Sequence, residues 1–314
     1  MAAHIEGTGL IFDVKRFSLH DGPGIRTTIF FQGCPLRCAW CQNPESQPGG
    51  PRLFHADAKC LDCRACAAAC AQNAVQFSDD GRQWLVERCV RCGACSSSCP
   101  SGALSSVGMF ETADNLERTV LRDRVFYARS GGGVTLSGGE PLVQPAFARE
   151  ILSRCHKQGI HTALDTTAYA AWPTLAGLLP YTDLVLLDIK AFDPDRHRRL
   201  TGVRNEVILA NAAALAESNV DLVVRVPIIP GQNDDENDLR AVAHFLSGLP
   251  GLKRVELLPY NRMAQAKYSR LGLDYPLADT ATQGIEQMQT VQAWFADLRC
   301  PVSVIWGLGV PKPA

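Results

Sequence analysis

GGVTLSGGEPLVQPAFAREILSRCHKQGIHTALDT, residues 132–166, contains the pattern that decides the fold. An apolar run at 132–138 is followed by a helical pattern at 145–159 and by a second apolar run at 160–166. A strand, a helix and a strand at this spacing predict two parallel strands joined by a right-handed crossover. In such a sheet the side chains that carry chemistry lie at the carboxyl ends of the strands.

The same pattern recurs along the chain. Further strand-like runs lie at 183–189, 221–229, 253–260 and 301–307, and helical patterns lie at 115–130, 205–219 and 236–250. Residues 9–32 predict two more strands around a turn at DGPGIR, Asp21 to Arg26, where Gly and Pro interrupt the pattern. With the strand before Cys34 included, the sequence predicts an α/β fold, a barrel or open barrel of about six βα units.

Composition narrows the class of protein. The chain has 314 residues, 46% of them hydrophobic, and a formal net charge of −1. That charge gives no reason to expect a nucleic acid or an anionic membrane as partner. No apolar run reaches the roughly 18 residues of a membrane span, and residues 1–17 lack a basic start followed by an apolar core. We therefore expect a cytoplasmic protein.

Cysteine is the most unevenly distributed residue. The chain has thirteen cysteines, and eleven of them lie between residues 34 and 99. In a reducing compartment thiols stay unpaired, so clustered cysteines indicate metal ligands rather than disulfides. Eight of the cysteines lie in residues 52–105, a stretch with many small residues and little aliphatic core.

Those eight cysteines form an internal repeat, KCLDCRACAAAC at 59–70 and RCVRCGACSSSC at 88–99. The spacing is that of two-cluster bacterial ferredoxins, in which the fourth cysteine of each run ligates the other run's cluster. We expect one [4Fe–4S] cluster on Cys60, Cys63, Cys66 and Cys99, and a second on Cys89, Cys92, Cys95 and Cys70. One departure is Ala71, which follows Cys70 where the pattern has Pro. The alternatives are two zinc sites or disulfides.

The first cysteine group differs from the other two. GCPLRCAWCQNPE, Gly33 to Glu45, places Cys34, Cys38 and Cys41 in a C-x3-C-x2-C spacing with no fourth cysteine nearby. Cys155 lies in a helical pattern and Cys300 precedes a strand, and both are interpreted as ordinary thiols. Three ligands would leave one iron open, and an open position is where a bound metal does chemistry on a substrate.

This spacing resembles the radical S-adenosylmethionine (SAM) superfamily. DGPGIR before the cysteines, WCQNPE around the third cysteine, and SGGGVTLSGGEPL at 130–142 narrow the resemblance to the activating enzymes of glycyl radical enzymes, the family of pyruvate formate-lyase activase. It covers nearly the whole chain. It implies a partial (β/α)6 TIM-like radical SAM barrel, begun by residues 1–51 and completed by residues 106–314, with a two-cluster ferredoxin-like insert at 52–105.

The resemblance also implies an activity. A reduced [4Fe–4S] cluster cleaves SAM, and the 5′-deoxyadenosyl radical takes a hydrogen atom from a glycine of a partner glycyl radical enzyme. The implied cofactors are three [4Fe–4S] clusters, SAM and a monovalent cation. The implied electron donor is a flavodoxin or ferredoxin. The alternatives are a radical SAM enzyme with a different substrate and an iron–sulfur electron carrier without catalysis. The sequence does not rank partners that act on glycerol, choline, hydroxyproline, aryl acetates or sulfonates.

Site residues follow from the matching motifs. Cys34, Cys38 and Cys41 would hold the catalytic cluster, with Trp40 near the cluster and the adenine. Gly138, Gly139 and Glu140 match the family's GGE motif, which binds the amino group of SAM. Glycine lets a backbone approach a ligand closely, and carbonyl or carboxylate oxygens can pair with an ammonium group. The alternatives are a packing role for Trp40 and an ordinary turn for the two glycines.

A second set matches the family's positions at the ends of later strands. Asp165 and Thr166 match an Asp-Thr pair, and Asp188 with Lys190 matches an Asp-x-Lys pair, whose members share one face of a strand. Lys190 would meet the SAM carboxylate, and Asp165 with Asp188 would hold the monovalent cation. Arg225 lies inside an apolar strand, where burying its charge is costly unless the side chain is paired. It would contact SAM or substrate. The alternative is a strand-end salt bridge.

Three residues remain from the family's motifs. Asp21 and Arg26 would lie near the glycine-bearing loop of the partner, or would serve only the turn. Asn261 stands where the family often has a histidine near the SAM ribose. Asparagine can donate a hydrogen bond but cannot titrate near neutral pH. A role that needs a proton from this position is therefore in doubt.

Overall fold

A computed structural model describes residues 7–47, 49–78 and 81–306 of the chain. Its strands are β1 (Thr8–Ser18), β2 (Arg26–Phe31), β3 (Arg52–His55), β4 (Val75–Ser78), β5 (Gly81–Trp84), β6 (Leu104–Val107), β7 (Met109–Thr112), β8 (Gly133–Gly138), β9 (His161–Thr166), β10 (Leu184–Asp188), β11 (Asp221–Ile228), β12 (Leu252–Pro259) and β13 (Val302–Val304). Nine of these strands form one sheet in the order β13-β12-β11-β10-β9-β8-β2-β1-β7.

The parallel part of this sheet confirms the fold predicted from the sequence. β2 and β8 to β13 are seven neighbouring parallel strands, which correspond to the strand predicted before Cys34 and to the six later strand-like runs. β1 and β2 form the predicted pair around the turn at 21–26, and they are antiparallel. The sequence analysis missed β7, which adds an antiparallel edge to β1. Two predictions extend beyond the described residues. These are the end of the last predicted strand, at residue 307, and residues 1–6 of the segment 1–17, in which no signal-peptide pattern was found.

The helices are α1 (Ala65–Ala68), α2 (Ala94–Ser97), α3 (Ala113–Leu121), α4 (Arg124–Ser130), α5 (Pro145–Lys157), α6 (Trp172–Ala176), α7 (Pro194–Thr201), α8 (Glu206–Ala216), α9 (Glu236–Ser247), α10 (Gln265–Arg270) and α11 (Ile285–Ala293). Prolines at the starts of α5, α6 and α7 suit those positions, because proline lacks the N–H group that would be unpaired there. In the described ranges no helix is long and apolar enough to cross a bilayer.

One helix prediction was wrong. The sequence predicted a single helix over 115–130, whereas the structure has α3 and α4 with a break at Arg122 and Asp123. The Asp123 carboxylate is buried and accepts hydrogen bonds from Arg16 (Nε–Oδ2 2.8 Å) and Thr27 (Oγ1–Oδ2 3.1 Å). A tertiary ion pair with β1 and β2 thus interrupts a segment whose local pattern is helical throughout.

The two faces of the sheet explain where a site can form. Outward-facing side chains such as Leu136, Leu164 and Val224 are fully buried in the main core, which includes side chains of the surrounding helices. Inward-facing side chains below the strand ends form only a small cluster, made of Ala163, Leu184, Leu186 and Val223. Side chains alternate between the two faces of a strand, so the inward-facing side chains after this cluster lie at the carboxyl ends of the strands, where they face open space.

The cysteine-rich segment, residues 52–107, leaves this sheet and returns to it. β3 pairs with β6 and β4 pairs with β5, both antiparallel. A short 3-10 helix ends at the first residue of each sequence repeat, and each repeat has a residue with positive φ just before a one-turn helix, Arg64 before α1 and Gly93 before α2. The repeat seen in the sequence is therefore also a repeat of local structure. β6 extends two residues past the predicted boundary at 105.

Candidate active site

The carboxyl ends of the parallel strands and the loop after β2 enclose a cavity of about 320 Å³. Thirteen of the predicted site residues line it: Asp21, Cys34, Cys38, Trp40, Cys41, Gly138, Gly139, Asp165, Thr166, Asp188, Lys190, Arg225 and Asn261. Glu140 and Arg26 are the predicted residues of this site that do not line it. The structure therefore brings most of the set together, from positions that are up to 240 residues apart in the sequence.

The cysteine loop, residues 33–45, forms one wall of the cavity. Its backbone is fixed by the Arg37 and Ala39 N–H groups, which donate to the carbonyls of Thr201 (2.6 Å) and Leu200 (3.0 Å) at the end of α7. Burial raises the pKa of the Cys34 and Cys41 thiols, and it raises the pKa of Cys38 to about 12. Three half-buried thiols that line one cavity form a donor set that fits an iron–sulfur cluster.

Trp40 lines the cavity and also packs into an aromatic cluster. It is 5% exposed and shares this cluster with Tyr260, Tyr268 and Tyr275. Tyr260 donates a hydrogen bond from its hydroxyl to Tyr275 (2.9 Å), which ties the cluster together. Packing, the alternative raised for Trp40, is therefore part of its role, and the cluster keeps water away from one side of Cys38 and Ala39.

Gly138 and Gly139 are required by the packing of two chain segments. A Cβ on Gly138 would lie 2.4 Å from the Phe31 nitrogen, and a Cβ on Gly139 would lie 2.3 Å from the Gly33 carbonyl oxygen. Gly138 also has φ +110°, which side chains rarely adopt. The glycines therefore let the end of β8 lie directly against the start of the cysteine loop, and both also line the cavity.

The Glu140 side chain supports the cavity from behind. Its carboxylate is fully buried and accepts hydrogen bonds from the hydroxyls of Thr166 (2.6 Å) and Thr167 (2.6 Å) and from the N–H groups of Thr167 (2.8 Å) and Leu142 (3.1 Å). Burial raises the pKa of this carboxyl. All four donors belong to the protein, so the expected contact of this motif with the amino group of SAM falls to its backbone.

Changing Glu140 to Gln is expected to lower the free energy of unfolding by about 1–3 kcal/mol, because an amide NH₂ group would then face a backbone N–H group inside the fold. A denaturant titration measures this change. The exposed residue Glu286 offers the matched control, since Glu286→Gln should leave the midpoint unchanged. An unchanged midpoint for Glu140→Gln would contradict the role described for Glu140.

Four charged side chains alternate in sign across the cavity wall. Arg225 donates from Nε to Asp188 Oδ1 (3.0 Å) and from its second nitrogen to Asp165, and Lys190 Nζ donates to Asp188 Oδ2 (2.8 Å). Ser137 donates to the other oxygen of Asp165 (2.6 Å). Arg225 lies directly opposite Asp188 in the parallel pair of β10 and β11, so the strand register brings them together.

The Arg225 guanidinium pairs with both Asp165 and Asp188, the two carboxylates for which the sequence predicts a monovalent cation, and that cation stays a prediction. Burial raises the pKa of Asp165 above its ordinary value despite Arg225. Burial also acts on Asp188, but Arg225 and Lys190 outweigh it and lower the pKa of Asp188. The group is neutral as a whole, and a ligand with both a carboxylate and an ammonium group could exchange partners with it.

Asp21 and Arg26 have different surroundings. The Asp21 carboxylate lines the cavity and accepts hydrogen bonds from Ser18 and from Thr28 (2.7 Å). Arg26 is fully buried below the cavity and donates to the Val134 carbonyl (2.5 Å) and to Thr135 Oγ1 (2.5 Å). Arg26 thus binds to β8 inside the fold, while Asp21 lies at the cavity wall, and a place for either residue beside the partner's glycine loop stays a prediction.

The Asn261 side chain also lines the cavity, and its Oδ1 accepts a hydrogen bond from the Met263 N–H group (3.2 Å). Sequence reasoning missed several other residues at this wall, including Gln42, Asn43, Ser137, Thr167 and Tyr260. Gln42 and Asn43 lie within the WCQNPE stretch, Ser137 lies within SGGGVTLSGGEPL, and Thr167 and Tyr260 are next to predicted site residues. Position in or next to a recognised motif was therefore the signal available for all five.

The remaining eight clustered cysteines meet in two groups of four. One cavity is lined by Cys60, Cys63, Cys66 and Cys99, and another is lined by Cys70, Cys89, Cys92 and Cys95. Each group contains the fourth cysteine of the other repeat, as the spacing predicted. In the described ranges no three Cys, His, Asp or Glu side chains are placed to share a single metal ion. Cys155 lies in the main core, apart from both groups, and Cys300 packs against this core.

Comparison with known proteins gives matches to two families. Residues 86–243 match the radical SAM superfamily, and residues 59–104 match the 4Fe-4S dicluster domain. The match to the radical SAM superfamily begins after the cysteine loop. It therefore does not include the C-x3-C-x2-C spacing, which is separate evidence for the same superfamily.

Curated relatives match along almost the whole chain. A choline trimethylamine-lyase activating enzyme of Oleidesulfovibrio alaskensis is 41% identical over 96% of this chain and 99% of its own length. An isethionate sulfite-lyase activating enzyme of Nitratidesulfovibrio vulgaris is 41% identical over 91% of this chain and 94% of its own length. Among solved structures, Streptococcus suis SuiB bound to its precursor peptide SuiA covers 86% of this chain and 46% of its own, with 14% identity and a TM-score of 0.50. That structure is similar in fold alone.

Proposed function

The chain belongs to the radical SAM enzymes that activate glycyl radical enzymes, and from this premise we propose that its cavity binds SAM on a [4Fe–4S] cluster held by Cys34, Cys38 and Cys41. The observation that carries the proposal is that these three thiols face the same cavity as the alternating charges of Asp165, Arg225, Asp188 and Lys190. The cavity volume of about 320 Å³ lies within the range of small-molecule sites, roughly 300–1,000 Å³.

When bound, the reduced cluster supplies one electron that cleaves SAM into methionine and a 5′-deoxyadenosyl radical, which takes a hydrogen atom from the partner's glycine. The protein's own residues bind and orient SAM. Lys190 would pair with the carboxylate of SAM, and the backbone at Gly138 and Gly139 would bind its ammonium group. Arg225 would release one of its two aspartate partners and contact SAM instead. Buried aromatic side chains around Trp40 exclude water, which protects a reactive intermediate from side reactions.

The proposal assigns the carboxyl ends of β9 to β12 to the nucleoside part of SAM. Oxygen and amide groups that can hydrogen-bond ribose hydroxyls are present on Asp165, Thr166 and Asn261, which all line the cavity. Asn261 cannot release a proton near neutral pH, so its contribution is limited to binding. Asp21, which also lines the cavity, would lie near the entering glycine loop of the partner, and Arg26 would only hold the turn.

We further propose that the cysteine-rich segment is a ferredoxin-like insert with two [4Fe–4S] clusters, which gives three in all. The barrel would then comprise residues 1–51 and 106–314, with the insert at 52–105. Two four-thiol cavities support this assignment. Burial raises the pKa of Cys70, but the N–H groups of residues 72–75 together lower it below its ordinary value, as the Leu104 N–H group does for Cys99. These clusters would relay electrons from a flavodoxin or ferredoxin, or would dock a partner.

Changing Cys63 to Ala is expected to remove iron from the insert while SAM binding stays within about twofold of the wild type. Cys63 lines a separate cavity from the one proposed for SAM. Iron analysis and equilibrium dialysis with SAM measure the two effects. Lost SAM binding in a variant that keeps iron on the cysteine loop would mean that the insert is integral to the SAM site.

The partner is a glycyl radical enzyme, as the family implies. The relatives named for choline trimethylamine-lyase and for isethionate sulfite-lyase are equally similar to this chain, at 41% identity each. Overall identity therefore does not rank a choline partner above a sulfonate partner. A glycyl radical enzyme encoded beside this chain is the first candidate to supply in activation assays.

The experiment that tests the function rebuilds the clusters without oxygen, adds dithionite and SAM, and measures 5′-deoxyadenosine by chromatography. The proposal predicts SAM-dependent 5′-deoxyadenosine, and a glycyl radical signal when a suitable partner is added. Protein that holds its full iron but forms no 5′-deoxyadenosine, with or without a glycyl radical enzyme, would favour the electron-carrier alternative.

A further inference from the structure

Helix α10 reaches from the last part of the chain onto the cysteine loop. The Lys267 ammonium donates to the Gln42 carbonyl (3.0 Å) and to Asn43 Oδ1 (2.8 Å), and it pairs with Glu45 Oε1 (2.7 Å). An ammonium group has three protons, and all three have acceptors here. All three acceptors belong to the few residues that follow Cys41.

The contact with Asn43 has a directional consequence. A lysine ammonium only donates hydrogen bonds, so it fixes the oxygen of the Asn43 amide toward itself. The amide nitrogen then faces the other way and donates to the Gly138 carbonyl (3.3 Å). Asn43 and Gly138 both line the cavity. Without Lys267, only the 3.3 Å contact with that carbonyl would orient the amide.

The surroundings of Lys267 make this arrangement rigid. The Glu45 side chain is 3% exposed, and Lys267 supplies the ion pair that a buried carboxylate needs. On one side of the helix, Tyr268 packs in the aromatic cluster with Trp40. On another, the Arg270 guanidinium stacks over the Phe54 ring of β3 at 4.2 Å. The helix is thus held against both the cysteine loop and the cysteine-rich segment.

We propose that Lys267 is a positioning residue for SAM binding, which acts through Asn43 on the Gly138 carbonyl. The inference rests on the proposed function, since it takes this cavity as the SAM site. Lys267 does not line the cavity. It holds Asn43 so that the carbonyl at the end of β8 keeps one orientation and presents its remaining lone pair to the ammonium group of SAM.

Three variants test the proposal in the reconstituted holoenzyme. The double variant Glu45→Gln with Lys267→Met removes both charges and leaves no unpaired carboxylate in the fold. Asn43→Asp keeps an acceptor for Lys267 but replaces the donor to Gly138 with an oxygen. Lys267→Arg keeps the charge. The matched control is Lys253→Met, because the ion pair of Lys253 with Asp221 is exposed on the surface.

Equilibrium dialysis with SAM, together with iron analysis, gives the decisive readouts. We expect the double variant and Asn43→Asp to bind SAM about tenfold or more weakly at unchanged iron content, with KM for SAM raised more than kcat is lowered. We expect Lys267→Arg to stay within about threefold and Lys253→Met to match the wild type. A purely structural role would lower the thermal midpoint without this change in affinity.

Two results would overturn the proposal and are distinguishable. If the wild type binds SAM and the double variant and Asn43→Asp bind it within about twofold of the wild type, Lys267 does not position the site, while the proposed function stands. If wild-type protein with full iron on the cysteine loop binds no SAM, the proposed function fails and the inference fails with it.

Discussion

Changing Cys41 to Ala is expected to reduce 5′-deoxyadenosine formation by about 10³-fold or more. Cys41 lines the cavity wall with Cys34 and Cys38, and the first cysteine group has no further cysteine at ligand spacing that could replace it. With two thiolates left, the cluster that binds SAM would not be retained, whereas the eight cysteines of the cysteine-rich segment are untouched. Total iron should therefore fall from about twelve to about eight atoms per chain.

The matched control for this prediction is Cys300→Ala, because Cys300 packs against the main core away from the cysteine groups. Chromatography of the reaction products and iron analysis of the same samples give both readouts. Retained 5′-deoxyadenosine formation in Cys41→Ala would show that the catalytic cluster lies elsewhere. A loss of all iron would show that the insert depends on the cysteine loop for its assembly.

Changing Gly139 to Ala is expected to lower the free energy of unfolding by about 2–3 kcal/mol and to weaken SAM binding. The new Cβ would lie 2.3 Å from the Gly33 carbonyl oxygen and 2.8 Å from its carbon, and these are backbone atoms that cannot rotate away. The conflict must therefore move the end of β8 or the start of the cysteine loop. Because Cys34 follows Gly33 directly, either movement displaces a cluster ligand.

Gly284→Ala provides the comparison, since nothing lies within 4 Å of a Cβ at that position and its φ of −82° suits any residue. Denaturant titration of both variants isolates the effect of the close approach from the general effect of replacing glycine. Equal midpoints for Gly139→Ala and Gly284→Ala would contradict the described contact between β8 and the cysteine loop.

Most of the fold could be predicted from local sequence patterns. The strand–helix–strand pattern of residues 132–166 gives the parallel order, because crossover handedness leaves few alternatives. The position of the site then follows from that topology, since carboxyl ends of parallel strands share one edge. Cysteine spacing likewise predicted which thiols meet, because the exchange of the fourth ligand is a property of the repeat.

What the sequence did not reveal depends on contacts between distant segments. The break at Asp123 follows from an ion pair with Arg16, more than 100 residues away. Arg225 pairs with Asp188 because the strand register sets the two residues opposite each other. The link from Lys267 to Asn43 spans 224 residues and involves a short helix without a motif of its own. No local pattern encodes such pairs.

The measurement that tests the central claim most directly is electron–nuclear double resonance on the reduced protein with SAM labelled at its amino nitrogen and carboxylate. The claim is that the cluster on Cys34, Cys38 and Cys41 has an iron that SAM chelates. The account predicts coupling of both labels to the reduced cluster in the wild type and in Cys63→Ala, and no coupling in Cys41→Ala. Reduced wild-type protein with full iron and no coupling to either label would contradict it.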